Sequence, residues 1–149
     1  AGLLDGAVDV VATDHAPHTL EEKERPYASA PSGGPLVQHS LPMMLELSAQ
    51  GVSPVETVVE KMCHAPARLF GVRDRGFLRT GHFADIVLVR PADPWTVSKE
   101  NILYKCGWSP LEGTAFSHRV VRTLVNGRTV YADGRVDTAH RGAELEFDR

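Results

Sequence analysis

The period of the hydrophobic residues changes near Gly76, and this change constrains the fold more than any other feature of the sequence. Before Gly76, apolar residues recur at the three- and four-residue spacing of amphipathic helices. After it, they occur in short β-branched runs that are typical of strands. The chain is therefore not one symmetric unit, and we expect a boundary between two structural units at residues 72–76.

The first unit is predicted to contain one strand, a long loop and two helices. Residues 8–13 form a short β-branched run that is typical of a buried strand, and Pro17 prevents its continuation. Residues 19–35 are rich in charged residues, proline and glycine, which indicates a loop. The first helix is predicted at residues 40–50, with Ser40 as its N-cap.

The second helix carries the clearest helical signals. Ser53 to Glu56 has the pattern of a capping box, with Pro54 at the first helical position. One apolar stripe then follows, formed by Val55, Val58, Val59, Met62 and Cys63. Pro66 is predicted to begin a further short turn of helix, which Gly71 ends.

The second unit is predicted to be a sheet. Residues 84–89 form one strand, and residues 120–131 form a hairpin. The turn of this hairpin is the Asn-Gly pair at residues 126–127, a pair favoured in two-residue hairpin turns. The Asp-Gly pair at residues 133–134 indicates a second turn.

Composition excludes several classes of protein. With 42% hydrophobic residues, 23% charged residues and a net charge of −3, the chain resembles neither a disordered protein nor a nucleic-acid-binding one. No apolar run approaches the ~18 residues that a membrane-spanning helix needs. Cys63 and Cys106 form no C-x-x-C pair, so neither a disulfide framework nor a thiolate zinc site is indicated. We therefore expect a reducing, cytoplasmic location.

Asp14, His15 and His18 lie where the predicted strand ends. In parallel α/β folds, catalytic groups sit at the carboxyl ends of strands and on the loops that follow. A carboxylate there can ligate a metal, hold a catalytic water or accept its proton, and a nearby histidine can bind an anion. Alternatively, Asp14 caps the turn through its own backbone and the histidines are merely exposed. Spacing alone leaves both interpretations open.

Motifs of a known enzyme family run along the chain. Residues 12–23 (ATDHAPHTLEEK) resemble the second signature of dihydroorotases, which are cyclic amidohydrolases of the amidohydrolase superfamily. The resemblance continues at residues 30–36 (APSGGPL), 64–71 (HAPARLFG, with His-Ala before the proline of the usual Asn-Pro-Ala motif), 81–89 (GHFADIVLV) and 125–127 (VNG). Residues 104–110 (YKCGWSP) resemble bacterial members of the Bacteroidetes type.

The resemblance implies an α/β fold: a metal-dependent (β/α)8 barrel that carries a small β-sandwich built from both chain ends. A complete barrel has ~250 residues. Because this chain is shorter and opens without Met or a signal peptide, we expect it to be a carboxyl-terminal part of a longer protein. Residues 1–75 would supply the last βα portion of the barrel, and residues 76–149 the carboxyl-terminal strands of the β-sandwich. The other metal ligands of the family would lie outside these residues.

The resemblance also implies roles for four residues. Asp14 would ligate one zinc of a binuclear site and act as general base and acid, taking a proton from the attacking hydroxide and passing it to the departing ring nitrogen. His18 would help to hold the substrate carboxylate, and the backbone around Ser32 and Gly33 would bind the pyrimidine ring. The reaction would be the reversible cyclisation of N-carbamoyl-L-aspartate to L-dihydroorotate in pyrimidine biosynthesis. These 149 residues alone are expected to be inactive, and a homodimer is one possible assembly of the whole enzyme.

Two other functions stay open. A hydantoinase (dihydropyrimidinase) or allantoinase would use the same metal chemistry on another ring, although such relatives usually lack a histidine at the position of His18. A non-catalytic dihydroorotase-like scaffold would have lost its metals, and the retained Asp14 argues against it. The remaining polar and aromatic residues are interpreted as structural: Cys63 and His64 as a packed pair, Asp85 as an acceptor for backbone groups, Lys23 as a residue that fixes its loop, and Trp95 and Trp108 as packing anchors.

Overall fold

In the computed structural model, which describes residues 2–148, the helices precede the strands, in agreement with the change of period predicted near Gly76. No helix among these residues has the length and apolar character needed to cross a membrane. The helices are α1 (Leu20–Lys23), α2 (Ser40–Ala49), α3 (Val55–Val59) and α4 (Ala65–Leu69), and a π-helical stretch, Glu60–His64, joins α3 to α4. A short 3₁₀ turn lies at Lys99–Asn101.

The strands form two antiparallel sheets within the described residues. They are β1 (Ile86–Arg90), β2 (Trp95–Thr96), β3 (Ala115–Phe116), β4 (Arg119–Val125), β5 (Arg128–Ala132) and β6 (Arg135–Val136). The larger sheet has the order β1-β4-β5-β6, and β2 pairs with β3. Asn126 and Gly127 have φ angles of 52° and 77°, the left-handed conformation that a tight hairpin turn between twisted strands requires. The predicted hairpin and its turn are confirmed.

Residues 8–13, which were predicted to form a strand, belong to no sheet within the described residues. This segment has no partner strand within residues 2–148 and runs beside the π-helical stretch instead. The backbone N–H of Val11 donates to the Lys61 carbonyl at 3.0 Å, and the Lys61 ammonium donates to the Val8 carbonyl at 2.6 Å. A strand is stabilised by its neighbours, so a β-branched run without them stays extended but unpaired.

The starts of the helices also differ from prediction. Because α3 begins at Val55, Pro54 is its N-cap and Ser53 lies one position too early to cap it. Ser40 is the first residue of α2 and not its N-cap. The helix runs through Pro66 without a break, since proline is tolerated in the first turn of α4. The prediction that Gly71 ends this helix agrees with its φ of 62°.

A small cluster of buried hydrophobic residues lies where α2 meets α3. Met44, Leu45 and Val58 pack together there, and Val58 is only 1% exposed. The rest of the predicted apolar stripe is not covered in the same way: Val55 is 47% exposed, and Val59 is exposed as well. The stripe therefore packs against another part of the chain at Val58 but not at Val55 or Val59.

The segment between the helices and the larger sheet is closely packed. Arg75 is buried, pairs with the Asp85 carboxylate and lies 4.0 Å from the centre of the Phe83 ring. Asp85 also accepts a hydrogen bond from the backbone N–H of Asn126 at 2.8 Å, as expected for a residue that satisfies backbone groups. A side chain at Gly76 would place its Cβ 2.5 Å from that of Ala67. The domain boundary at residues 72–76 stays a prediction.

We expect the isolated 149-residue chain to be poorly soluble and to hydrolyse no dihydroorotate. Phe70 and Leu78 are examples of large apolar side chains that remain exposed, Leu78 at 77%. Light scattering and a hydrolysis assay measure the two properties, and a Leu78→Gln variant should remain soluble at higher concentration. A monomeric chain that melts cooperatively and is active would contradict this expectation.

Candidate active-site loop

Asp14 presents an exposed carboxylate from a left-handed backbone position, with φ of 44°. Such a φ is uncommon for residues other than glycine, although aspartate tolerates it. One interpretation of Asp14 was that it forms an Asx turn. Such a turn is formed by Asp5 instead, because the Asp5 Oδ1 accepts a hydrogen bond from the Ala7 N–H at 3.1 Å. Among residues 2–148, the Asp14 carboxylate accepts no comparable hydrogen bond. Its oxygens are free to act on another group.

A parallel bridge between His15 and Gly34 closes the loop that follows Asp14. The Ala16 N–H donates to the Gly34 carbonyl at 3.2 Å. The His15 ring completes the closure, because its Nδ1 accepts from the backbone N–H groups of Leu36 and Val37 at 3.1 and 3.3 Å. This places the ring proton on Nε2. His15 therefore has a structural role in closing the loop, and its spacing from Asp14 did not predict this role.

Lys23 fixes the part of the loop that contains Pro31 and Gly33. Its ammonium donates to the carbonyls of Pro31 and Gly33 at 2.7 and 2.9 Å. The expectation that Lys23 fixes its loop agrees with these two charge-assisted hydrogen bonds. Lys23 is held in place by α1, which begins with a capping box between Thr19 and Glu22. The hydrogen bonds from Thr19 lower the pKa of the Glu22 carboxyl group.

The other predicted site residues lie on the two arms of this loop. His18 is half-buried, and its Nδ1 lies 3.9 Å from a carboxylate oxygen of Glu22. Ser32 and Gly33 are exposed on the opposite arm. Gly33 has φ of 94°, and a Cβ there would lie 2.5 Å from the Cβ of Ala16. Only glycine allows the two arms to approach this closely.

Gly33→Ala should therefore open the loop. Gly113 is a matched control, because it also has a positive φ of 85°, but a Cβ added there would meet no atom within 4 Å. We expect Gly113→Ala to cost about 1 kcal/mol from backbone strain, and Gly33→Ala to cost at least twice as much. Urea unfolding of the longer protein, in which the barrel is expected to be complete, measures the free energy of unfolding of both variants. Equal costs would show that the contact with Ala16 does not constrain the loop.

Residues 101–111 of the second unit lie against the same loop. The Trp108 indole N–H donates to the His18 carbonyl at 2.8 Å, and the Tyr104 hydroxyl donates to the Pro35 carbonyl at 3.2 Å. The Tyr104 ring also meets the His15 ring edge-on, with centroids 5.3 Å apart. The sequence identified Trp108 only as a packing anchor. The structure adds a directional hydrogen bond to a predicted site residue.

The buried side chain of His39 supports the segment that contains Trp108, through a contact with Ser109. His39 is fully buried, its Nδ1 lies 3.2 Å from the Ser109 hydroxyl, and its ring stacks on Phe116. Burial lowers the pKa of His39, because the charged imidazolium would lose its hydration. A neutral His39 suits a packed, aromatic site. Nothing in the sequence distinguished His39 from the other histidines.

The described residues fit one position of a metal site and not a complete one. Within residues 2–148, no three His, Cys, Asp or Glu side chains come together in a group that could hold a metal ion. Asp14 has a free carboxylate, which is a suitable single ligand. His64 stacks on Phe77 with centroids 4.5 Å apart, as expected for a packed residue, whereas Cys63 is exposed and not its packed partner.

A cleft in the described part of the chain lies away from the candidate loop. It has a volume of about 530 Å³ and lies between α2 and the larger sheet, with Leu41, Pro42 and Trp95 among its lining residues. Asp14 and His18 do not line it. The candidate site is thus an open loop surface in these residues.

Dihydroorotases are among the known proteins that are similar to this chain in sequence. A dihydroorotase from Pelobacter propionicus is 41% identical over 131 residues, which is 88% of this chain and 31% of that protein. One from Halobacterium salinarum is 40% identical over 143 residues, 96% of this chain and 33% of the relative. The chain spans about a third of the length of these curated relatives. No family model matches the chain.

Solved structures of hydantoinases have a fold similar to that of this chain. An L-hydantoinase (dihydropyrimidinase) from Arthrobacter aurescens aligns with a TM-score of 0.83 and 31% identity over 92% of this chain and 32% of its own. A D-hydantoinase from Bacillus sp. AR9 aligns with a TM-score of 0.81 and 27% identity over 91% of this chain and 31% of its own. The resemblance to dihydroorotases and the predicted fold class are both confirmed.

Proposed function

We propose that this chain, which is similar along most of its length to dihydroorotases, forms the carboxyl-terminal part of a zinc-dependent dihydroorotase. The observation that carries the proposal is the 41% identity to such an enzyme over 88% of the chain. The enzyme would interconvert N-carbamoyl-L-aspartate and L-dihydroorotate for pyrimidine biosynthesis in the cytoplasm. We call the longer protein the full-length enzyme, and its assembly as a homodimer stays a prediction.

Asp14 would act as the proton carrier of the reaction. Its exposed carboxylate is free of hydrogen bonds from the described chain, so it can accept a proton from the attacking hydroxide as that group adds to the ring amide. It would then deliver that proton to the ring nitrogen as the amide bond breaks. Zinc, when bound beside Asp14, supplies positive charge that polarises the amide carbonyl and makes hydroxide available near neutral pH.

His18 and the glycine arm would hold the substrate. A His18 ring with a proton on both nitrogens would direct Nδ1 toward Glu22, 3.9 Å away, and would donate from Nε2 to a substrate carboxylate. The exposed backbone at Ser32 and Gly33 offers hydrogen-bonding groups to the polar edge of a pyrimidine ring. Lys23 keeps this arm in place through the Gly33 carbonyl.

A hydantoinase is the second candidate, because an L-hydantoinase shares the fold at a TM-score of 0.83 with 31% identity. The substrates of the two enzymes differ in the ring carboxylate, which dihydroorotate has and both hydantoin and dihydrouracil lack. Turnover of all three by the full-length enzyme at one pH near neutrality distinguishes the candidates. We expect dihydroorotate to be hydrolysed fastest, and faster turnover of hydantoin or dihydrouracil would favour the second candidate.

A further inference from the structure

The backbone of His18 is held from both sides. Its N–H donates to the Ala16 carbonyl at 3.0 Å, and its carbonyl accepts from the Trp108 indole at 2.8 Å. The first bond is local to the loop. The second comes from a residue 90 positions away in the sequence, in the second structural unit.

The segment that carries Trp108 is itself anchored at several points. The Gln38 side chain donates to the Asn101 carbonyl at 2.7 Å and accepts from the Leu103 N–H at 2.8 Å. At the other end, Ser109 is buried and contacts the ring of His39. Because both ends are fixed, the Trp108 indole has a defined position relative to the loop.

We propose that Trp108 is a positioning residue that sets the place of His18 and thereby the affinity for ring substrates with a carboxylate. This inference rests on the proposed function, in which His18 contacts that carboxylate. Trp108 would not touch the substrate. Its loss would leave the His18 carbonyl without its partner and let the backbone at His18 shift, while the Asp14 side of the loop keeps its bridge to Gly34.

Trp95 provides a matched control. Its indole N–H also donates to a histidine carbonyl at 2.8 Å, that of His118 at the approach to β4. Trp95 and Trp108 are both half-buried. Replacing either by phenylalanine removes one indole hydrogen bond of the same type, but only Trp108→Phe removes it from the candidate loop.

The test compares the two variants in the full-length enzyme. With Trp108→Phe, KM for dihydroorotate should rise about three- to tenfold, the effect of one ordinary hydrogen bond, while kcat stays within about twofold. KM for dihydrouracil should change little. With Trp95→Phe, both KM values should stay at their wild-type levels even if the melting temperature falls. An unchanged KM for dihydroorotate in Trp108→Phe, or equal rises in both variants, would overturn the inference.

Hydrogen exchange separates this inference from the proposed function. Trp108→Phe should speed backbone amide exchange in residues 15–20, and Trp95→Phe should not. If the wild-type enzyme does not turn over dihydroorotate but this exchange pattern is found, the proposed function fails and the positioning contact stands. If exchange in residues 15–20 is unchanged, the positioning contact is wrong whatever the activity.

A measurement on the wild-type enzyme covers the case in which Trp108→Phe does not fold. A contact that raises the affinity of a ligand must itself be stabilised by that ligand. Exchange of the Trp108 indole proton should therefore slow when orotate, which carries the carboxylate, is added. Uracil, which lacks it, should have no such effect. Equal effects of the two ligands, or none from orotate, would contradict the inference.

Discussion

Asp14→Ala in the full-length enzyme is expected to abolish turnover of L-dihydroorotate while at least part of the bound zinc remains. General acid–base catalysis by one side chain contributes roughly a hundred- to ten-thousandfold, and loss of a metal ligand adds to this. Metal should remain because, in the proposed enzyme, the other ligands would lie outside these residues. A rate assay beside elemental analysis of the same sample measures both properties.

The control for this experiment is Asp5→Ala. Asp5 is an exposed aspartate nine positions earlier, and its carboxylate already binds the Ala7 N–H. Its loss should remove that hydrogen bond and leave turnover near the wild-type rate. If Asp14→Ala also keeps a near-wild-type rate, Asp14 has no part in the mechanism.

His18→Ala is expected to lower kcat/KM for dihydroorotate far more than for dihydrouracil. A hydrogen bond to a charged group is worth ~1.5–3 kcal/mol, which corresponds to roughly a ten- to hundredfold loss for the substrate that carries the carboxylate. Residual activity on unsubstituted dihydrouracil should change little. Both substrates are assayed with both enzymes at one pH near neutrality.

His82→Ala is the matched control for this change. His82 is also half-buried, but it lies against Phe77, with ring centroids 6.2 Å apart, and not in the candidate loop. Its loss should affect the two substrates equally. If His18→Ala also gives equal losses on both substrates, His18 serves the chemistry or the folding of the loop and not carboxylate binding.

Features encoded by neighbouring residues were predictable from the sequence. The hairpin turn at Asn126 follows from two residues that both tolerate positive φ, and β4 and β5 extend from it. The capping box of Thr19 and Glu22 was equally local but was missed, because the surrounding prolines, glycines and charges indicated a loop. Short helices can begin within such segments when the capping residues are present.

Features that depend on distant partners were not predictable. The β-branched run at residues 8–13 has the composition of a strand, but a strand also requires neighbouring strands. The contact between Trp108 and His18 joins residues 90 positions apart, and neither residue signals the other. The motif around Asp14 was identified through family resemblance, whereas the hydrogen bonds of His15 and Lys23 that shape the loop required coordinates.

The central claim is that this chain supplies the last part of a dihydroorotase active site. The most direct test replaces the matching 31% of the Pelobacter propionicus dihydroorotase by this chain and measures hydrolysis of L-dihydroorotate. We predict that the hybrid enzyme is active and that Asp14→Ala in the hybrid removes the activity. A folded hybrid that retains its metal but hydrolyses no dihydroorotate, or one whose activity survives Asp14→Ala, would contradict the claim.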